Sequence, residues 1–142
     1  MITSSEIVVR YQETDQMGIV HHSVYPVWYE VARTDYCKQM GLRYLEMESM
    51  GIMTPIYEVH SHYKSPARYD DVLTVQTIVK RLTPYRIEFR YEIFKEDTLI
   101  HYGETVHVWV DSKEFKPLNL KKYFPDVYQL IESTMEESGD AK

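Results

Sequence analysis

The chain has 142 residues, a net charge of −6, 44% apolar and 27% charged residues. This fits one globular domain able to bury about two-thirds of its unfolded surface, and it argues against disorder. No basic run suits nucleic acid or a membrane surface, no apolar run nears the roughly 18 residues of a membrane span, and the single cysteine, Cys37, can form no internal disulfide.

The first residues, Met1 to Glu6, lack the basic-then-apolar pattern of a secretion signal, so a cytoplasmic location is expected. Residues 6–11 read as a first strand, with Ile7, Val9 and Tyr11 alternating against Val8 and Arg10. A loop over residues 12–23 leads into a helix over residues 24–40. Val24, Val27, Trp28, Val31 and Ala32 recur at helical spacing and predict its buried face. Ser23 is placed to cap this helix, Pro26 fits its first turn and Gly41 its end. A second, short helix is expected near Tyr44–Met50, stopped by Gly51.

Beyond Gly51 the period changes to two. Strands are expected over residues 54–64, 72–82, 86–94 and 98–110. In the third of these, Ile87, Phe89, Tyr91 and Ile93 alternate with Arg86, Glu88, Arg90 and Glu92; in the fourth, Ile100, Tyr102, Val106, Val108 and Val110 are assigned to one face. Thr83-Pro84-Tyr85 and Lys95-Glu96-Asp97 supply hairpin turns, giving an antiparallel meander. A last helix near Leu120–Glu136 reads as amphipathic and mostly exposed, and residues 136–142 as a frayed tail. One strand, one long helix and four long strands make an α+β domain whose sheet curls around the helix. Its open edges predict a dimer that continues the sheet. The 13 tyrosines suit half-buried sheet faces or an interface.

The chemistry lies between Tyr11 and Tyr25, which enclose Glu13, Asp15, Gly18, His21 and His22. A carboxylate there lies beside the free N–H groups of a helix start, which favour negative charge. Such a pair can both attack and stabilise an acyl group. Asp15 can serve as a general base on water or attack the carbonyl itself; the bland alternative is an Asx turn that shapes the loop. The N–H groups of Val20, His21 and His22 are the candidate oxyanion donors, and Gly18 permits a positive φ or a close substrate approach. His22 can orient Asp15 or polarise the carbonyl, or be a polar residue at a helix start. Tyr11 can line the site or be a plain strand tyrosine. His60 and His62 share a strand face, but no third ligand stands at a telling spacing, so no metal is expected. Cys37 lies mid-helix without a neighbouring base and suits a small buried role.

The segment Tyr11-x-x-x-Asp15-x-x-Gly18-x-Val20-x-His22-x-x-Tyr25 resembles the signature of the hotdog-fold acyl-CoA thioesterases. The branch is the 4-hydroxybenzoyl-CoA thioesterase-like group that includes the YbgC-like proteins of the Tol-Pal operon. Trp28-Tyr29-Glu30-x-Ala32-Arg33-Thr34 and Tyr63-x-Ser65-Pro66-Ala67-Arg68-Tyr69-Asp70-Asp71 resemble the same group, so the resemblance covers residues 5–118. It implies a hotdog fold, a homodimer or homotetramer, and hydrolysis of acyl-CoA to a carboxylic acid and free CoA at a subunit interface. Asp15 falls on the catalytic aspartate, Tyr11 and His22 on the motif tyrosine and histidine. Glu13 keeps an acid often found two residues earlier, whereas Arg86 replaces a residue that is often small or hydroxylated.

No cofactor is implied beyond the CoA of the substrate. Tyr25, Trp28, Tyr29 and Tyr57 are expected to line the acyl pocket. Lys64, Arg68, Lys80, Arg81, Arg86 and Arg90 are candidates for the CoA phosphates. The alternatives are an acyl-carrier-protein thioesterase, a non-catalytic acyl- or CoA-binding partner protein, and a hotdog dehydratase using Glu30.

Overall fold

A computed structural model describes residues 1–138, with side chains as far as residue 135. Five strands form one antiparallel sheet: β1 (Thr3–Val8), β3 (Ile56–Tyr63), β4 (Val72–Leu82), β5 (Arg86–Lys95) and β6 (Thr98–Val108), in the order β1-β4-β5-β6-β3. A two-residue strand β2 (Ile52–Met53) pairs with β7 (Val110–Asp111) as a separate small ribbon. The helices are α1 (Tyr25–Met40), α2 (Tyr44–Met50), a single turn α3 (Leu120–Tyr123) and α4 (Pro125–Ser138). The sheet wraps α1, which is the hotdog arrangement.

The first strand begins and ends three residues earlier than expected. Its inward residues are Thr3, Ser5 and Ile7, so the predicted phase holds at Ile7, but Tyr11 has left the strand for a 3₁₀ turn, Tyr11–Glu13. Ser23 does not cap α1. It lies in a second 3₁₀ turn, His22–Val24, where the His21 ring accepts from its N–H, and Val24 occupies the cap position without a side-chain bond.

The buried face of α1 is also rotated from the predicted one. Tyr25, Trp28, Tyr29, Ala32, Arg33, Tyr36 and Cys37 face the sheet, whereas Val27 and Val31 are 52% and 40% exposed. Both sets repeat at helical spacing. The aromatic set carries more apolar area and so takes the interior.

Strand β5 has the predicted phase, with Ile87, Phe89, Tyr91 and Ile93 buried. Strand β6 does not. An irregularity opposite Ile93/Phe94 inserts Ile100 as an extra residue. Beyond this bulge the inward residues are His101, Gly103, Thr105 and His107, while Tyr102 and Val108 turn outward.

The C-terminal helix docks rather than lying exposed. Leu120, Val127, Tyr128, Ile131 and Thr134 are buried, and the Tyr36 hydroxyl donates to Thr134 Oγ1 at 2.7 Å. Residues 136–138 continue the α4 backbone; the rest of the expected frayed tail lies outside the described residues.

Candidate active site

Glu13 anchors the loop. Its carboxylate is buried and accepts from the Arg10 backbone N–H at 2.8 Å and from Trp28 Nε1 at 3.1 Å. The indole lies on α1, so this bond ties the loop to the helix. Its own carbonyl accepts from the His21 N–H at 2.9 Å, and the Val20 N–H donates to the Ala67 carbonyl at 2.8 Å. Between these ties the chain makes a tight reversal. Asp15 N–H donates to the Ile19 carbonyl and Gly18 N–H to the Asp15 carbonyl, both at 2.9 Å. Gly18 has φ +78°, a left-handed conformation that a side chain would resist.

Asp15 is half-buried at the turn. Its Oδ1 accepts from the Met17 N–H at 2.8 Å, the Asx turn expected of the bland reading. That bond occupies one carboxylate oxygen, and among the described residues Oδ2 carries none. One oxygen therefore fixes the side chain in the Asx turn, and that turn leaves the other without a partner among the described residues.

The backbone bonds sort the three candidate oxyanion donors. The Val20 and His21 N–H groups are engaged, which removes them; the His22 N–H has no partner among the described residues. The His21 and His22 rings lie 4.2 Å apart. His21 Nδ1 meets Ser23 Oγ at 2.8 Å, and the His22 carbonyl accepts from the Tyr63 hydroxyl at 2.9 Å. Tyr11 is 76% exposed with its ring edge-on to Tyr69, which places it at the mouth of the loop.

Tyr25, Trp28 and Tyr29 lie beneath the loop in the core rather than around an open pocket. Tyr25 stacks on His101 at 4.0 Å and meets Tyr63 edge-on at 5.2 Å. Burial pushes the Tyr25 hydroxyl up to about 12 and that of Tyr29 higher still, so neither serves as a base near neutral pH. A cavity between α1 and the sheet, lined by Tyr36, Cys37, Met40 and Phe89, measures ≈ 10 Å³. It has room for about one water and not for an acyl group.

Lys64 and Arg68 stand at the loop end of the sheet: Lys64 N–H bonds the Ile100 carbonyl, and Arg68 N–H bonds Asp71, whose carbonyl accepts from Val9. Tyr57, Arg81 and Arg86 lie at the opposite end of their strands, where Arg86 covers the Tyr57 ring at 5.1 Å. Within one chain they do not meet Asp15. Lys80 and Arg90 sit on the outer sheet face, paired with Glu104. No group of three His, Cys, Asp or Glu side chains is disposed to hold a metal among the described residues.

His101, Ser61 and Gly103 escaped the sequence reading. The single available signal was the break in the apolar alternation of β6 at His101.

The sequence pattern of the thioesterase-like superfamily matches residues 9–129. The chain belongs to that family. A Bacillus subtilis (strain 168) protein named "Putative acyl-CoA thioesterase YneP" is 36% identical over 132 residues, covering 92% of this chain and 96% of that one. The "Acyl-CoA thioester hydrolase YbgC" of Escherichia coli O157:H7 is 30% identical over 115 residues, covering 80% and 86%. Among solved structures, the DHNA-CoA thioesterase from Staphylococcus aureus superposes with a TM-score of 0.92 at 34% identity, covering 99% of this chain and 95% of that one.

This thioesterase-family domain buries two neutral histidines under its helix. His107 Nδ1 donates to the Thr54 carbonyl at 2.9 Å, so its Nε2 accepts from the Thr105 hydroxyl, which in turn accepts from Tyr91. Burial pulls both His101 and His107 down to about 4. Between that value and the ordinary 6.5 the unfolded chain binds more protons, so stability is full above about pH 6.5 and falls as pH drops towards 4. The urea midpoint should decline over that window, and His107→Gln should flatten part of the decline. Parallel pH profiles for the two proteins would refute this source of the slope.

Proposed function

We propose that this protein hydrolyses acyl-CoA thioesters to a carboxylic acid and free CoA, with Asp15 as the acid that acts. The observation that carries the reading is Asp15 Oδ2, which has no partner among the described residues, on a turn held by backbone and side-chain bonds to Asp15 Oδ1, Glu13 and Ala67; further along the same loop the His22 N–H, in the 3₁₀ turn that precedes α1, is also without a partner among them. The names of the relatives above, two of which act on acyl-CoA thioesters by name, support it.

Two balanced routes use this geometry. In one, Oδ2 takes a proton from water as the water oxygen attacks the thioester carbon. In the other, Oδ2 attacks directly and water later opens the anhydride. In both, the carbonyl oxygen becomes an oxyanion that the helix start stabilises, and collapse expels the CoA thiolate. His22 and Tyr11 border the reacting group, and Lys64 and Arg68 are the basic residues on hand for CoA phosphate.

The working unit in this reading is a homodimer, or a dimer of such dimers. Strand β3 is an open edge whose Ile56, Tyr57, Val59 and Tyr63 are 41–59% exposed. Pairing two β3 edges antiparallel covers this surface. It also lays the Tyr57 and Arg86 end of one copy beside the Tyr63 and Asp15 end of the other, forming between copies the acyl pocket that the closed core lacks. No described helix is long and apolar enough to cross a membrane, and the unpaired Cys37 suits a cytoplasmic setting.

The test is thioester loss, followed by ultraviolet absorbance, for short, long and aromatic acyl-CoAs and for an acyl carrier protein substrate. Turnover of acyl-CoA by a protein that sediments as a dimer or larger is the expected result. Turnover of the carrier substrate alone, or none from a folded oligomer, would replace this reading with the carrier-protein or non-catalytic alternative.

A further inference from the structure

Beneath the loop, three polar groups meet where the sheet has no side chain to fill the space. The Tyr29 hydroxyl, on a fully buried residue, lies 2.7 Å from Ser61 Oγ and 2.5 Å from His101 Nε2. It reaches this point because residue 103 is glycine: a Cβ there would overlap the hydroxyl oxygen and come within 2.6 Å of the His60 carbonyl. His101 is held from both sides, by Tyr25 stacked at 4.0 Å and Tyr63 edge-on at 4.7 Å, and its Nδ1 has no partner.

The hydrogen count decides the direction of the bonds. If Ser61 donated to Tyr29 and Tyr29 to His101, the imidazole hydrogen would sit on Nδ1 as a buried, unpaired N–H, a group proteins rarely leave orphaned. With the hydrogen on Nε2 instead, His101 donates to Tyr29 and Tyr29 donates to Ser61 Oγ. Of these three side chains, only the bare Nδ1 lone pair is then left over inside among the described residues. In that arrangement the Ser61 hydroxyl hydrogen has no acceptor among the described residues. Its oxygen also accepts a bond, which makes the hydroxyl a stronger donor.

Ser61 is half-buried on the open edge strand β3. Its side chain shares a face with Tyr63, two residues or about 7 Å along the strand, and the Tyr63 hydroxyl donates to the His22 carbonyl in the 3₁₀ turn that precedes α1. The donor therefore lies on the strand face that reaches, through Tyr63, the turn closing the Asp15 loop.

We propose that Ser61 is a substrate-contacting residue. Its hydroxyl, oriented from behind by Tyr29 and His101, donates a hydrogen bond to an oxygen of the acyl thioester bound against the start of α1. Tyr29 and His101 are positioning residues in this scheme. The proposal rests on the thioesterase reading above, so its test needs a readout that does not depend on turnover.

The probe is phenacyl-CoA, a thioether that keeps the carbonyl but cannot be hydrolysed. Its affinity for wild type, Ser61→Ala and Asp15→Asn would be compared by calorimetry, alongside kcat/KM for benzoyl-CoA and the thermal midpoint. Loss of one hydrogen bond should weaken phenacyl-CoA binding to Ser61→Ala by about 5-fold and lower kcat/KM by at least that much, while the lost Tyr29–Ser61 bond lowers the midpoint by only about 2–4 °C, leaving the protein folded under assay. Binding by Ser61→Ala equal to wild type would overturn the proposal, whatever Asp15→Asn does. An analogue that fails to bind wild type would overturn it together with the thioester-site reading, whereas normal turnover by Asp15→Asn would count against the role of the acid alone.

Discussion

Asp15→Asn should lower kcat on acyl-CoA by about 10²-fold or more while leaving the fold unchanged. The substitution separates the two things Asp15 does. Its Oδ1 accepts from the Met17 N–H, and an asparagine carbonyl oxygen accepts the same bond. The turn, the left-handed Gly18 and the ties of Glu13 to Trp28 and His21 therefore persist. What disappears is the negative charge on Oδ2, the oxygen that no described residue engages. An amide neither takes a proton from water nor attacks a thioester, so the whole loss falls on the chemical step. KM should move little, because the groups that would grip CoA are elsewhere. Asp15→Ala removes the turn bond as well and should add a loss of stability that Asp15→Asn lacks. Turnover in the well-folded asparagine variant close to that of wild type would remove Asp15 from the mechanism and leave it as a loop residue.

The loop was legible because its chemistry is local. An acid and a glycine three residues apart share one turn wherever the loop goes, and the Gly18 N–H donates to the Asp15 carbonyl. The strands of the meander were legible for the same reason, since alternation in residues 86–94 requires no knowledge of the neighbours. What failed were choices that depend on competition. On α1 two apolar stripes shared one helix, and packing against the sheet selected the tyrosines over Val27 and Val31. On β6 one extra residue at Ile100 brought His101, Gly103, Thr105 and His107 inward and turned Tyr102 and Val108 out, although Val106 and Val110 are buried as expected, and a bulge has no signature in an alternating run that is itself mixed. His101, Thr105 and His107, which the expected face left out, form the polar lining of the core. The long-range pairs were beyond reach in principle. Nothing in the order of residues says that Tyr29 meets Ser61, or that Arg86 covers Tyr57. Nor does it show that the Val20 and His21 amides are already spoken for by Ala67 and Glu13.

Gly103→Ala should be among the most damaging single-methyl changes in the molecule. The added Cβ would overlap the Tyr29 hydroxyl oxygen and lie 2.5 Å from Tyr29 Cζ and 2.6 Å from the His60 carbonyl. Relief requires one of these to move, and neither is loose. The Tyr29 ring is stacked on Tyr91 at 4.4 Å and its hydroxyl is bonded to Ser61 and His101; the His60 carbonyl belongs to the β3 backbone, paired with β6 across Glu104. Overpacking of this kind costs about 1–3 kcal/mol, and each hydrogen bond lost as Tyr29 retreats adds about 1 kcal/mol. A total near 3–4 kcal/mol corresponds to a fall in Tm of roughly 10 °C for a domain of this size.

Gly51 provides the internal comparison. Its φ of +95° makes alanine strained, but the nearest atom to the new Cβ is Ser112 Oγ at 3.6 Å, so Gly51→Ala should cost only about 1 kcal/mol. Combining Gly103→Ala with Tyr29→Phe removes the overlapping oxygen but leaves the ring carbon in place. The double variant should therefore be more stable than the sum of the two single losses, by an amount readable in a double-mutant cycle. A Gly103→Ala protein as stable as wild type would mean that the Tyr29 hydroxyl does not enter the sheet at this point, and Ser61 would then have no partner behind it.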